Sequence, residues 1–402
     1  MRKLTTIATA LVLALAVGTS ATVNQPARFD VRPFTMGGEK INNILKSQSN
    51  IWLYPQTINM YADQAEAVFD ASSANELARL GINFQFGTNN PFVLGIYVNN
   101  TNGAAFNPYA NFTWANTFPL QGVVMGDNNV YDLFWGKVMG GGNPFGLHLQ
   151  IYNSSNEVTG VAGSKNSLSV FAADAGLTNG PWDLAGSVVF TTFTEEDALG
   201  PVRDPNGNLA LEFRVRKWDV IPDWVGHATL GFAKTAFKTT GAGEEKWNTL
   251  NAEVGLGLNY TPTSSVHAVL DIGFQYLKAD FEEVDVNGLV ITDKSEKESS
   301  IPPYYALGVD AEVLSWLDVR LGASNIRRVQ TSTATLPLPV APDVDASFND
   351  VNTFVGVGLH WGNLTLDAQL DPEFVVSGPD FVSGDQTNDM FVMLAATYNF
   401  GN

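Results

Sequence analysis

Four histidines, His148, His227, His267 and His360, supply all the imidazole in a chain of 402 residues that has no cysteine. Thiolate nucleophiles, disulfides, thiolate metal sites and a lipoprotein anchor are therefore excluded. Neither a G-x-S-x-G elbow nor an H-E-x-x-H helix occurs, so two common hydrolytic constellations are missing. His267 and Asp271 sit four apart on one strand face, about 13 Å at the usual rise, too far for a direct acid–base pair. Polar packing explains these histidines better than catalysis, and no enzymatic activity or cofactor is expected. Acids outnumber bases 41 to 22, a formal charge of −19, which excludes a nucleic-acid partner. Many acids cluster in loop-like stretches, among them Glu195, Glu196, Asp197, Asp280, Glu282, Glu283, Asp285, Asp343 and Asp345. Clustered carboxylates suit hard divalent cations, but none of these runs matches an EF-hand loop; solvation is their expected role and no metal site is predicted.

The elements that carry these residues are strands. Leu250, Ala252, Val254, Leu256, Leu258 and Tyr260 share one face of a period-two segment, opposite Asn251, Glu253, Gly255, Gly257 and Asn259. The same alternation runs through Leu364–Leu370 and Tyr304–Val313. A soluble sheet buries its apolar face and covers the outside with Lys and Glu. Here the polar face is small and glycine-rich, the composition of a barrel lumen, and the apolar face is left to meet lipid. No segment reaches the roughly 18 apolar residues of a membrane helix. Arg2 and Lys3, the apolar stretch Leu4–Val17 and the small residues Gly18 to Ala21 have the order of a secretory signal peptide, assigned to residues 1–21.

Tight turns fall at Gly87–Pro91, Gly140–Pro144, Thr178–Pro181, Asp219–Trp224, Thr261–Ser264, Leu314–Ser315 and Gly362–Asn363. Between them lie longer polar connections at 99–129, 153–165, 195–207, 239–246, 281–300, 331–350 and 371–388. Strict alternation of short and long connections is the pattern of an outer-membrane barrel with brief periplasmic turns and long extracellular loops. Fifteen strands follow Leu80, near 81–87, 91–98, 130–139, 145–152, 166–175, 182–194, 208–218, 225–238, 247–261, 264–280, 302–313, 316–330, 351–361, 363–370 and 390–400. Closure with both ends periplasmic needs an even count, so one strand must precede them. Asn50–Tyr61 is the segment chosen, although Pro55 removes a ladder donor. The fold class is thus all-β, a closed antiparallel transmembrane barrel spanning 50–402 with about 16 strands, 14 being the second choice. Residues 22–49 form a periplasmic tail or a lumenal plug. Asp63–Leu80 has helical spacing, with Ser73 and Glu76 as a capping box.

Taking each polar face as inward, the lumen collects Asp183, Glu212, Glu253, Asp271, Asp310, Glu312, Asp318 and Asp367. Against these stand Arg214, Arg216 and Arg320. Such carboxylates favour cations in an aqueous path, unless they are neutralised in pairs such as Glu212 with Arg214. Glycine on the inward face reads as open space. The 99–129 loop carries Phe106, Tyr109, Phe112, Trp114 and Phe118, a set that needs cover; it is read as a constriction, an apolar-ligand loop, or packing on adjacent loops.

The last strand, with Met390, Val392, Leu394, Ala396, Tyr398 and Phe400 on one face, resembles the terminal strand of bacterial outer-membrane β-barrel proteins. In that group the final aromatic, here Phe400 with Tyr398, is part of the signal read by the barrel-assembly machinery; Gly401 and Asn402 follow it here. The turn Tyr260-Thr261-Pro262-Thr263 is similar to periplasmic turns of porin-like and long-chain fatty acid transporter-like barrels. The resemblance implies an outer membrane of Gram-negative type, lipid as a partner, a lumenal N-terminal plug, and passage of small or hydrophobic solutes. Two functions follow from this: a passive transport channel with cation preference, or a plugged structural or surface-display barrel. Oligomers are compatible with both.

Overall fold

The computed structural model describes residues 31–36, 39–70, 77–88, 90–101, 129–157, 165–196, 203–205, 208–239, 243–285, 287, 289–300, 303–336, 344–372 and 391–401. The signal-peptide stretch, Ser73, Glu76 and the aromatic set Phe106 to Phe118 lie outside them. Strand segments run in the order β1 Gln64–Asp70, β2 Leu77–Phe86, β3 Phe92–Thr101, β4 Asn129–Val138, β5 Pro144–Glu157 and β6 Lys165–Asn179. Next come β7 Trp182–Glu196, β8 Arg203–Pro205, β9 Asn208–Lys217, β10 Trp224–Thr239, β11 Gly243–Thr263 and β12 Val266–Val284. The last six are β13 Val290–Ser300, β14 Tyr304–Leu314, β15 Leu317–Leu336, β16 Val344–Trp361, β17 Leu364–Leu370 and β18 Phe391–Asn399.

All belong to one antiparallel sheet, and β1 pairs with both β2 and β18, which closes it into a barrel. Segments β8 and β9 both lie between β7 and β10, and β13 and β14 both lie between β12 and β15. Each couple is one interrupted strand, so sixteen strands make the barrel. The second interruption coincides with Pro302-Pro303, two residues with no N–H for a ladder. Two-residue reversals join β6 to β7 and β16 to β17, and each uses a glycine at positive φ, Gly180 (56°) and Gly362 (61°).

Burial alternates along the strands as the sequence does. In β11, Asn251 and Glu253 are buried while Leu250, Val254 and Leu256 are exposed. Large apolar side chains cover the outside, with Phe213 at 64% and Phe274 at 53% exposure. Trp182, Trp316, Trp361, Tyr398 and Phe400 are exposed near the tight-turn end. An apolar wall edged by aromatics is tenable in a bilayer and not in water. The chain is a closed β-barrel whose outer wall is suited to a lipid bilayer.

Three expectations are corrected. Asn50–Tyr61 is not the first strand: Gln48–Trp52 and Pro55–Met60 are 3-10 turns inside the barrel. Pro55 has no ladder donor, and Asn42 Oδ1 accepts hydrogen bonds from Ser47 Oγ (3.1 Å), Ser49 Oγ (2.7 Å) and Asn50 Nδ2 (2.6 Å), a local network that takes the place of strand pairing. The missing strand is β1, in the segment read as helical. There Gln64, Glu66 and Val68 face inward and Phe69 faces out. A helix at that position would leave the edges of β2 and β18 unpaired in the bilayer, so closure overrides local spacing. Finally, the long connections at 281–300 and 331–350 are largely strand: β12 runs to Val284, β13 fills Val290–Ser300, and β15 and β16 extend to Leu336 and from Val344.

The buried core lies between wall and N-terminal segment. Ile51, Trp52 and Ile58 pack against Val68, Val93, Tyr97, Phe134 and Met393. Met36, Ile41, Ile44 and Leu45 pack against Val225, Val269 and Ala306, and Leu53 and Tyr54 against Ala185.

Candidate functional site: the lumen

The N-terminal segment enters a cavity whose wall is shaped for it. An ideal Cβ on Gly146 would stand 2.3 Å from the carbonyl carbon of Pro55, and one on Gly308 would stand 1.9 Å from Met36 O. Gly257 meets Ile44 and Gly356 meets Thr35 in the same way. These inward glycines, read from the sequence as open space, are the points where backbone and side chains of residues 35–58 lie against the strands. That reading is corrected: glycine here removes wall side chains to admit another part of the chain.

Polar contacts tie the segment at several heights. Arg216, at the turn end of β9, donates to Asp183 Oδ2 through Nε (3.0 Å) and Nη2 (2.9 Å), and through Nη1 to Asn50 Oδ1 (2.7 Å) and Asn43 O (3.3 Å). Its guanidinium also lies 4.2 Å from the Tyr54 ring centre and 4.5 Å from that of Trp218. Arg214 bonds Glu212 and donates to Leu53 O (3.1 Å). Arg32, in the helical turn Val31–Thr35, donates to Asp310 (2.8 Å) and lies 3.1 Å from His267 Nδ1. Asn259 Nδ2 donates to Ile44 O (2.7 Å), and Asn83 Nδ2 to Tyr61 O (2.9 Å). A buried large apolar side chain contributes about 1.5–3 kcal/mol and a typical hydrogen bond about 1 kcal/mol. Apolar packing therefore holds the segment, and the polar contacts set its register.

The inward residues read from the sequence fall into clusters. Asp183 with Arg216 and Glu212 with Arg214 form buried pairs on β7 and β9. Glu253 accepts from Tyr304 OH (3.0 Å), which also donates to Asp271 (3.2 Å), itself 3.0 Å from His227 Nε2. Arg320 is buried among Asp310 (3.4 Å), Asp318 (3.5 Å) and Asp367. Glu312 lies apart from these, exposed at the turn end of β14. Phe400 stacks obliquely on Phe84 with ring centres 5.6 Å apart, and its N–H donates to Asp63 O (2.9 Å), joining the end of the chain to the start of β1.

Sequence reasoning missed one cluster altogether. His148 is fully buried, with Nε2 2.9 Å from Asp132 and Nδ1 2.6 Å from Asp174. It stacks on Phe134 at 4.2 Å, and the Trp52 ring meets it edge-on at 5.2 Å. The signal was Asp132 and Asp174 on the same strand faces as His148, masked because β4 also turns Val130 and Phe134 inward and so looks apolar on both faces. His267 and Asp271 do not meet: His267 contacts Asn259 and Arg32, whereas Asp271 contacts His227 and Tyr304.

No family model matches the sequence, and no curated protein matches it. Among solved structures, the chain is similar to the ferric-catecholate import receptor Fiu of E. coli K12 in its open form, at 8% identity and a TM-score of 0.38, covering 83% of this chain and 81% of that one. It is also similar to CdiB from Acinetobacter baumannii, at 9% identity and TM-score 0.42, covering 83% of this chain and 59% of CdiB. A third is the FrpB iron transporter from Neisseria meningitidis, at 9% identity and TM-score 0.39, covering 76% of this chain and 60% of that one. At these identities and scores, function rests on the residues of this chain.

Proposed function

We propose that this protein is a transport barrel of the outer membrane whose path is closed at rest by its own N-terminal segment, and that it does no covalent chemistry. The observation that carries the reading is the fit between residues 35–58 and the inward glycines Gly146, Gly257, Gly308 and Gly356. A display barrel needs a filled interior, but a lumen lined by paired charges and amides, tied to the occupying segment by hydrogen bonds, suits a segment that moves against a polar wall. A single bilayer experiment separates the alternatives. Purified full-length protein in planar membranes is expected to show low, intermittent conductance that rises when the segment is loosened. A steady conductance at every voltage indicates a passive pore, and silence from both the full-length protein and loosened variants indicates a display barrel.

A further inference from the structure

Three of the four histidines, His148, His227 and His360, set a ring nitrogen against a carboxylate oxygen, at 2.6 Å, 3.0 Å and 2.7 Å. His267 differs: its Nδ1 faces a cation, with Arg32 Nη2 3.1 Å away. A guanidinium has only donors, so Nδ1 must accept, and the ring is neutral with its single proton on Nε2. Nε2 in turn donates to Asn259 Oδ1. That end of the amide is fixed as the oxygen, because Nδ2 donates to Ile44 O at 2.7 Å. A neutral ring thus ties the wall to the N-terminal segment at two places, Arg32 directly and Ile44 through Asn259. His267 is the second residue of β12 and is half-buried at the tight-turn end of the barrel.

The surrounding charges decide what a second proton on the ring would do. Asp310, opposite His267 in the β12–β14 register, accepts from Arg32 Nε at 2.8 Å. Its Oδ1 is buried and makes no hydrogen bond among the described residues, although Arg320 Nε of β15 lies 3.4 Å away. Arg320 is held in the wall by Asp318 (3.5 Å) and Asp367, and β11 contributes only the uncharged Asn259. A proton on Nδ1 removes the acceptor that Arg32 uses and places a third cation, beside Arg32 and Arg320, around Asp310. Like charges at such distances repel. His267 and Arg320 belong to the wall, so the cation free to leave is Arg32, on the five-residue turn Val31–Thr35. We infer that His267 is a proton-operated latch on the N-terminal segment. Neutral, it holds Arg32 and, through Asn259, Ile44; charged, it pairs with Asp310 and lets Arg32 go. A ring freed of Arg32 accepts the proton that the seated contact shuts out, so release grows as the pH falls below neutrality and reverses as it rises. The inference rests on the segment closing the transport path, and names the condition that opens it.

The test reads release of the segment, so that it stands apart from flux. Thr35→Cys, buried beside Gly356 in the turn that carries Arg32, provides a single thiol in this cysteine-free chain. Its rate of reaction with a polar maleimide in full-length protein is divided at each pH by that of an exposed Gly140→Cys thiol, which cancels the reagent's own pH dependence. Between about pH 8 and about pH 5 the normalised rate is expected to rise about tenfold, as for loss of one hydrogen bond to a charged group. His267→Gln, neutral throughout, should keep the low rate at both ends, and Arg32→Met should show the high rate at both. A pH-independent rate with His267 in place, or an acid rise that persists in His267→Gln, overturns the latch. Should His267→Gln fail to fold, Arg32→Met, which alters only the segment, decides: an acid rise in that variant overturns the latch as well. Acid release in a protein that conducts at no pH leaves the latch standing and removes the transport reading. Conductance that opens in acid equally with His267 and with His267→Gln does the reverse.

Discussion

Replacing Gly146 by Ala adds one methyl group at a place where the wall lies directly against segment backbone. Its Cβ would lie 2.3 Å from Pro55 C and 2.4 Å from both Gln56 N and Pro55 O, about 1.1 Å short of the 3.4 Å at which ordinary contact begins. Those atoms are main chain, so no rotamer change relieves the clash, and the Pro55–Met60 turn must shift as a unit. Overpacking of this kind costs about 1–3 kcal/mol, which lowers the ratio of seated to displaced segment by about 5- to 150-fold. The absence of cysteine provides a clean assay. Thr57→Cys, buried in the same turn, becomes the single thiol, and its rate of reaction with a polar maleimide reports the displaced fraction when reseating is fast. Gly146→Ala should raise that rate by the factor above, whereas Gly140→Ala, whose Cβ meets nothing within 4 Å, should leave it unchanged. Equal rates in the Gly146 and Gly140 variants, with both barrels folded, would refute the claim that glycines in the wall make room for the segment.

Arg216→Met removes donors to Asp183, Asn50 and Asn43 together and leaves a buried carboxylate; a loss of about 3–5 kcal/mol is expected in denaturant unfolding, and Arg216→Lys should recover only part of it because it cannot bond in two-pronged fashion. Reversal potentials across a KCl gradient should show a modest cation preference in the opened protein, since Asp183, Glu212, Asp271, Asp310, Asp318 and Asp367 lie in pairs with bases; Asp271→Asn with Asp310→Asn should reduce it, and an anion-selective value would contradict the inward assignment. Phe400→Ala should lower the folded yield in the membrane much more than Phe374→Ala, because it removes the ring that packs on Phe84 between the two ends of the barrel seam; equal yields would count against it.

The barrel was legible because each strand carries its own instruction. Asn251 and Glu253 against Leu250 and Val254 state which side is which without reference to any other strand, and the turn chemistry of Gly180 and Gly362 marks where the chain reverses. What failed was information held jointly. The alternation in β1 is short and rich in alanine, and only the unpaired edges of β2 and β18 require it to be a strand. Trp52 and Ile58 look like strand residues because they are as apolar as a lipid-facing face, yet they are buried against Tyr97 and Phe134. Glycine shows the limit most plainly. At Gly146 and Gly308 the sequence records that a side chain is absent, and absence has the same appearance whether water or Pro55 stands beyond it. The distinction lies in residues far away along the chain, which is why the count of strands could be reasoned from local pattern while the content of the lumen required the assembled fold.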